Sequence, residues 1–240
     1  MRTLLAIETS ARFSSVAISL RGEVYETVLE QKRNHAELIL PAVRQLLCNN
    51  KAGLHEVNQL LFNTGPGSFT GLRIGAGVIQ GLAFSADIPV VAVSGFEVYL
   101  YTWLKMASIP DEPSTRICVV IDAHLGDVYT QDFFFNENGV YHKDNRRIMK
   151  LSAFVESQKL QAGKVVYIGD EQLQQYFDEL GLMFHSVCPV ASSMMTLLQN
   201  DKNTNTLREI KAAEVVPFYM RENIGWKKWR PKSVENTLAK

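Results

Sequence analysis

The stretch at the start of the chain, residues 4–28, reads LLAIETSARFSSVAISLRGEVYETV. It begins with a short apolar run, passes through a polar loop into an alternating segment at residues 15–20, and turns at Gly22 into a third segment at residues 24–28. Alternation with a period of two is typical of strands, and glycine favours the turn of a hairpin. The stretch therefore predicts three consecutive antiparallel strands.

Helical and strand patterns alternate from there to about residue 105. Apolar residues at positions 38, 39, 42, 43, 46 and 47 form the stripe of a helix, although Pro41 lies within it. The elements predicted are, in order, a helix at 36–47, a strand at 60–63, a helix at 69–85 capped by Ser68 or Thr70, a strand at 89–93 and a helix at 96–105. This order predicts a mixed α/β sheet.

The opening pattern returns in the second half of the chain. Residues 117–121 are an apolar run that ends in Asp122, as residues 4–7 end in Glu8, and residues 127–135 predict the strand that follows. Repetition of a strand, an acidic residue and a polar loop predicts an internal duplication. The only later segment with a strong strand pattern is residues 165–168, and residues 191–213 have a mostly helical composition.

We therefore expect three parts. A complete first domain spans residues 1–108, a smaller second domain spans residues 109–215 with late helices that pack back on the first, and a basic, aromatic tail spans residues 216–240. The tail contains Trp226-Lys227-Lys228-Trp229-Arg230, a composition found at single-stranded nucleic-acid sites and also in solvated tails.

The composition excludes several classes of protein. Apolar residues make up 46% of the chain, and 25 Lys and Arg balance 25 Asp and Glu, so no global basic field draws it to nucleic acid. Cys48, Cys118 and Cys188 form no C-x-x-C pair, which fits a reducing compartment. The first apolar run is too short for a signal peptide, and no run reaches the roughly 18 residues of a membrane span. These features predict a cytoplasmic protein.

Glycines are concentrated around residues 65–81. The sequence Gly65-Pro66-Gly67 precedes the predicted helix, where it can either cradle a phosphate or form a turn with unusual backbone angles. Inside the helix, Gly71/Gly75 and Gly77/Gly81 form two i, i+4 pairs. Glycine disfavours a helix by up to about 1 kcal/mol relative to Ala, so these positions indicate close approach of a neighbour on two faces.

Several collinear motifs resemble one family. They are Ile7-Glu8-Thr9-Ser10, Asn34-His35, Gly65-Pro66-Gly67-Ser68-Phe69-Thr70-Gly71-Leu72-Arg73-Ile74-Gly75, Gln80-Gly81-Leu82-Ala83, Ile121-Asp122-Ala123, Gly126-Asp127-Val128-Tyr129 and Pro217-Phe218-Tyr219-Met220-Arg221. The chain resembles the TsaB (YeaZ-like) family. This resemblance implies an actin, sugar-kinase and Hsp70-like α/β fold of duplicated domains with mixed sheets and a truncated second domain.

The resemblance also implies a function. TsaB proteins are non-catalytic partners of the homologous transferase TsaD, which adds the threonylcarbamoyl group to the adenosine beside the anticodon of tRNA, and an ATPase, TsaE, joins the assembly. The chain is then expected to dimerise with TsaD, to support TsaE binding, to meet tRNA only through the complex, and to leave ATP and Mg²⁺ to its partners. A homodimer is possible when the chain is alone.

The residues favour a pseudo-enzyme over two alternatives. The TsaD relatives hold a metal with two histidines at i and i+4, whereas this chain has His35 followed by Ile39, which argues against a metallopeptidase and predicts no bound metal. An ATP-dependent small-molecule kinase or carbamoyltransferase of the same fold is the other alternative. Ala11 and Arg12 stand where catalytic relatives carry acidic residues, which argues against it.

Two groups of site residues follow. We expect the helices at 36–47 and 69–85 to bind the partner through His35, Leu38, Ile39, Ala42, Val43, Leu46, Leu72, Gly75, Ala76 and Ile79. A vestigial nucleotide site is the second expectation, at Glu8, Thr9, Ser10 and Asp122, where the two acids either face each other across a cleft or cap their strands. No catalytic residue is expected.

Overall fold

A computed structural model describes residues 2–30, 35–107, 115–136, 139–142, 145–159, 164–200 and 207–221. Its strands form two separate six-stranded sheets. The strands of the first sheet are β1 (Leu4–Glu8), β2 (Ser14–Leu20), β3 (Glu23–Leu29), β4 (Gln59–Asn63), β5 (Val90–Val93) and β12 (Arg208–Ile210). Their order across the sheet is β12-β5-β4-β1-β2-β3. Because β1 pairs antiparallel with β2 and parallel with β4, this sheet is mixed, as predicted.

Helices cover both faces of the first sheet. Side chains alternate between the faces of a strand, so Leu5 and Ile7 join one core cluster while Leu4 and Ala6 join another. The first cluster includes side chains of α1 (His35–Asn49) and α2 (Phe69–Ala86). The second includes side chains of α6 (Ala191–Asn200).

The second sheet is mixed in the same way. Its strands are β6 (Arg116–Asp122), β7 (Asp127–Asn136), β8 (Gly139–Tyr141), β9 (Arg147–Lys150), β10 (Val165–Gly169) and β11 (Phe184–Ser186). Their order is β11-β10-β6-β7-β8, and β9 also pairs with β7. The short helices α4 (Leu151–Lys159) and α5 (Gln174–Asp178) pack on one face through Phe154 and Phe177. Helices α4 and α5 have nine and five residues, whereas α1 and α2 have 15 and 18. The second part is therefore truncated in its helices.

Elements cross between the two sheets. Helix α3 (Gly95–Leu104) follows the first sheet in the chain, yet Phe96, Tyr99, Leu100 and Trp103 pack on the second sheet. Helix α6 follows the second sheet and packs on the first, and the Thr102 and Ser193 hydroxyls of α3 and α6 lie 2.9 Å apart. Strand β12 then pairs antiparallel with β5 at the edge of the first sheet. The chain therefore passes between the two halves more than once.

The structure corrects one expectation about the later elements and adds short strands to them. Residues 208–210 are a strand rather than helical, because their backbone completes the ladder of β5. Residues 165–168, the later segment with a strong strand pattern, lie in β10, and the shorter strands β9 and β11 also lie beyond residue 145. These strands have four and three residues, too few to show an alternating pattern. The proposed domain boundary at residues 108 and 109 and most of the tail, residues 222–240, lie outside the described residues.

Candidate functional site

A cleft lies where loops of the two halves meet. Its polar half is a cavity of about 290 Å³. The walls come from the loop after β1, the loop before α2, the end of β6 and the segments that follow β10 and β11: Ser10, Ala11, Arg12, Phe13, Gly67, Ser68, Ile121, Asp122, His124, Asp170, Glu171, Gln172, Ser186, Val187 and Cys188. Strand ends and their loops therefore build this cavity, which is where sheets of this kind place binding residues.

Glu8 points into the fold beneath the cleft. Its side chain is fully buried, where one carboxylate oxygen accepts the Ser10 backbone N–H at 2.6 Å and the other accepts the Asn63 amide at 2.7 Å. Burial raises the pKa of this carboxyl, although the bonds from Ser10 and Asn63 oppose the shift. Glu8 thus anchors the loop after β1.

Thr9 and Ser10 join this loop to α2. The Thr9 hydroxyl donates to the Gly71 carbonyl at 2.8 Å, and the Ser68 backbone N–H donates to the Ser10 carbonyl at 2.7 Å. Ser68, one of the two predicted caps, caps α2 by accepting the Gly71 N–H at 3.3 Å. Two of the N–H groups at this helix start are therefore used within the chain. Of the four predicted nucleotide-site residues, Ser10 and Asp122 line the cavity.

Asp122 binds loop atoms of its own half. Its carboxylate accepts the His124 backbone N–H at 2.9 Å and the Gln172 amide at 2.8 Å. Next to it, Asp170 accepts the Asp122 N–H at 2.8 Å and the hydroxyl of Tyr99. Burial raises the pKa of the Asp170 carboxyl. The acids of the two modules thus bind loop backbone, and Glu8 does not line the shared cavity.

One ion pair joins the two halves across the cleft. Arg12 lies 2.5 Å from Glu171, and both side chains are largely exposed. Among the described residues, no group of three or more His, Cys, Asp or Glu side chains is placed to hold a metal ion. At position 39, where a two-histidine helix would carry its second ligand, Ile39 is buried in the core.

An apolar cavity of about 290 Å³ adjoins the polar one and shares Gly67, Asp122 and His124 with it. Its walls are Phe69 and Leu72 of α2, the hairpin between β6 and β7, and the segment Phe218 to Arg221. That segment bridges the two halves. The Phe218 N–H donates to the Thr64 carbonyl at 2.8 Å, and the Arg221 guanidinium donates to the Asp127 carboxylate at 2.5 Å.

Most of the predicted partner-binding residues lie in the chain's own core. Leu38 is half-buried, and the structure describes the backbone but not the side chain of His35. The others are buried: Ile39, Ala42, Val43, Leu46, Leu72, Gly75, Ala76 and Ile79. The outward faces of the two helices carry residues that this prediction did not include: Leu40, Pro41, Arg44, Gln45 and Cys48 on α1, and Gly77, Gly81 and Phe84 on α2.

The two glycine pairs of α2 face different ways. A methyl group on Gly71 would overlap the Thr9 carbonyl oxygen, and one on Gly75 would lie 2.5 Å from the Thr9 hydroxyl. Added methyl groups on Gly77 and Gly81 would meet no atom within 4 Å. Gly71 and Gly75 therefore allow the loop after β1 to pack closely against α2. Gly77 and Gly81 leave the outer surface of the helix without side chains at these positions.

The two mixed sheets and the cleft between them define an α/β protein of the actin and sugar-kinase class. A sequence model of the family described as "TsaD: tRNA N6-adenosine threonylcarbamoyltransferase" matches residues 24–169. The tRNA threonylcarbamoyladenosine biosynthesis protein TsaB of Escherichia coli K12 is 31% identical over 94% of this chain and 97% of its own length. Its Haemophilus influenzae counterpart is 32% identical over 94% and 96%.

A solved structure agrees with these relatives. The solved structure described as "YeaZ from Pseudomonas aeruginosa" is 25% identical, with a TM-score of 0.72 over 92% of this chain and all of that one. A second Pseudomonas aeruginosa structure, described as an uncharacterized protein with similarity to peptidase YEAZ, is 26% identical with a TM-score of 0.73 over the same shares. The chain belongs to the TsaB (YeaZ) family.

Proposed function

We propose that this chain serves tRNA threonylcarbamoyladenosine biosynthesis as a non-catalytic subunit that pairs with a TsaD homologue in the cytoplasm. Membership of the TsaB family carries the first part of the proposal. The match of residues 24–169 to the transferase family supports the second part, because it gives the partner a related fold. A TsaE-type ATPase then binds the pair and, with TsaD, handles ATP and Mg²⁺.

The state of the cleft supports a role without catalysis. Metal-dependent chemistry needs several ligands around one ion, and Ile39 supplies none where a second histidine would stand. The carboxylates of Glu8 and Asp122 are engaged with loop backbone, and Arg12 pairs with Glu171. No transmembrane anchoring enters the proposal, since no helix in the described ranges combines the length and apolar character needed to cross a membrane.

The outward faces of α1 and α2 are the proposed partner surface. Phe84 is 84% exposed and lies on α2 with the surface glycines. Leu40 is 50% exposed and lines a shallow groove together with Pro41, Arg44 and Cys48. Gly77 and Gly81 leave the backbone of α2 accessible to a second helix. A partner that presents the same two helices would form a pseudo-twofold contact. The buried residues of the predicted partner-binding set, such as Ile39 and Ile79, then hold the two helices in place for this contact.

The test is a titration of the chain with its TsaD homologue by calorimetry and light scattering. The chain is expected to form a heterodimer, and Gly77→Leu is expected to weaken it by at least tenfold because the added side chain separates the helices. Gln175→Leu, at an exposed position of α5 in the other half, is the matched control. Both variants are first checked for folding by circular dichroism.

Three results would contradict the proposal. If the chain and the TsaD homologue do not associate, or if Gly77→Leu binds like the unmodified chain, the helix surface is not the interface. Release of phosphate from ATP by the purified chain above the buffer rate would overturn its non-catalytic character.

A further inference from the structure

The apolar cavity has a wall of aromatic rings. Phe69 and Tyr219 lie with ring centroids 5.2 Å apart at an interplanar angle of 42°. Phe218 and Tyr129 also line the cavity, and Phe218 is 45% exposed. Rings that are accessible at the mouth of a cavity are surfaces on which another planar group can stack.

Arginines stand over these rings. The Arg73 guanidinium lies 3.9 Å from the centroid of Phe69, and its Nε donates to the Tyr219 hydroxyl at 3.0 Å. Within the described part of the chain, no carboxylate lies within ion-pair distance of Arg73. Arg146 lies 5.3 Å from the Phe218 ring. Positive charge is therefore held at the rim of an aromatic cavity.

The hairpin between β6 and β7 forms the opposite lip. His124, Leu125 and Gly126 follow one another with φ of 59°, 57° and 77°. A left-handed conformation is unusual for leucine, and Leu125 is 82% exposed although its side chain is apolar. The Arg221 guanidinium holds this hairpin by donating to the Ala123 carbonyl at 3.2 Å and to Asp127. An exposed apolar side chain is thus fixed at the mouth of the cavity.

Aromatic rings with adjacent cations are the combination that binds single-stranded nucleic acid, because every base offers a π face and every linkage a phosphate. The volume of about 290 Å³ lies just below the usual range for small-ligand sites, about 300–1,000 Å³, which suits one base. A protein side chain would fill the apolar space but would leave Arg73 without an anion.

We propose that this cavity binds one unstacked nucleobase of single-stranded RNA, with Arg73 on the neighbouring phosphate. The inference rests on the proposed function for the presence of an RNA substrate near this chain. Equal numbers of acidic and basic residues in the whole chain are compatible with such a site, because the charge that it needs is local. A free mononucleotide offers the same base and phosphate and is separated from RNA by experiment.

The probe is a fluorescein-labelled 12-nucleotide single-stranded RNA that carries one 2-aminopurine, titrated with the full chain and followed by anisotropy. Tyr219→Ala is expected to weaken binding by about tenfold, since stacking on one ring contributes about 1–3 kcal/mol per base. Arg73→Gln is expected to reduce the slope of log K against log salt by about 0.7, the value for one phosphate of a single strand. The 2-aminopurine emission changes on binding to the unmodified chain and not to Tyr219→Ala.

The matched controls are Phe84→Ala and Arg44→Gln, an exposed aromatic and an exposed arginine on the outer helix faces. Both are expected to bind the RNA like the unmodified chain. The proposal is overturned if Tyr219→Ala and Arg73→Gln also bind like the unmodified chain, or if no binding is detected at 1 mM protein. Binding of AMP but not of the RNA would assign the cavity to a mononucleotide instead.

This experiment fails separately from the test of the proposed function. RNA binding is measured on the chain alone, whereas pairing is measured with the TsaD homologue and Gly77→Leu. Pairing without RNA binding would leave the proposed function and remove the nucleobase site. RNA binding without pairing would leave the nucleobase site and remove the proposed function.

Discussion

Glu8 ends the first strand of the chain, and its side chain has a structural role. The carboxylate ends an apolar strand, where the sequence left a ligand-binding acid as one interpretation, yet here it is fully buried and bonded to Ser10 and Asn63. The sequence identified the position but left both interpretations open. Only the path of the loop, which folds back over the side chain, separates a ligand-facing acid from a buried one.

Burial of Glu8 makes stability depend on pH. Its pKa is raised above the ordinary 4.5, so the folded state holds the proton more tightly than the unfolded state. The free energy of unfolding is therefore expected to fall as pH rises from about 4.5 through the raised pKa. Glu8→Gln is expected to make this decline shallower in urea unfolding between pH 4.5 and 8.

Asp170 contributes with the same sign, because burial also raises its pKa. The double variant Glu8→Gln/Asp170→Asn is therefore expected to flatten the profile further. A profile for Glu8→Gln that runs parallel to that of the unmodified chain would show that Glu8 does not titrate in this range.

At the scale of elements, the two glycine pairs of α2 lie on different faces, one packed against the loop after β1 and the other open. The glycine pattern of α2 predicted two close approaches, and the structure assigns the inner one to the loop after β1, against Gly71 and Gly75. Sequence could not assign the faces, because both pairs have the same spacing. The apolar stripe of α1 was ambiguous in the same way. Its residues, such as Ile39 and Leu46, are buried against their own sheet, whereas Leu40 is an apolar residue that stays exposed.

The two faces predict opposite effects of one substitution. Gly71→Ala is expected to destabilise the fold by several kcal/mol, because the new methyl group overlaps the Thr9 carbonyl. Gly77→Ala is expected to stabilise it by up to about 1 kcal/mol, since the site is open and alanine favours a helix. Urea unfolding of both variants is the measurement. Equal effects of the two would contradict this assignment of faces.

For the whole molecule, sequence predicted much of the architecture. The long strands and helices of the first half were predicted to within a few residues, and the repeated strand and acid pointed to two mixed sheets. The return of α6 and β12 from the second half to the first was only partly predicted. Late helices were expected to pack back on the first half, as α6 does, but β12 has three residues and pairs across a long separation in sequence. Pairing of that kind is decided by the assembled sheet and not by local pattern.

The segment from Phe218 to Arg221 ties the two halves, and Arg221 forms an ion pair with Asp127 of the second. Arg221→Ala is expected to speed amide hydrogen exchange in this segment, including the Phe218 N–H that donates to Thr64. Lys150→Ala is the control, because Lys150 also contacts Asp127 but belongs to the second sheet itself. Equal exchange in Arg221→Ala and the unmodified chain would show that the segment is held without this contact.

The crossing of β12 and α6 has a consequence for synthesis of the chain. Strand β5 acquires its outer neighbour only when β12 emerges more than one hundred residues later, and the sheet face covered by α6 stays open for nearly as long. At about 5–20 residues per second, the first sheet waits on the order of 5–20 s on the ribosome with an unpaired edge and an uncovered apolar face. A nascent chain halted before residue 191 therefore exposes surface that chaperones recognise, and release of the last fifth of the chain closes it.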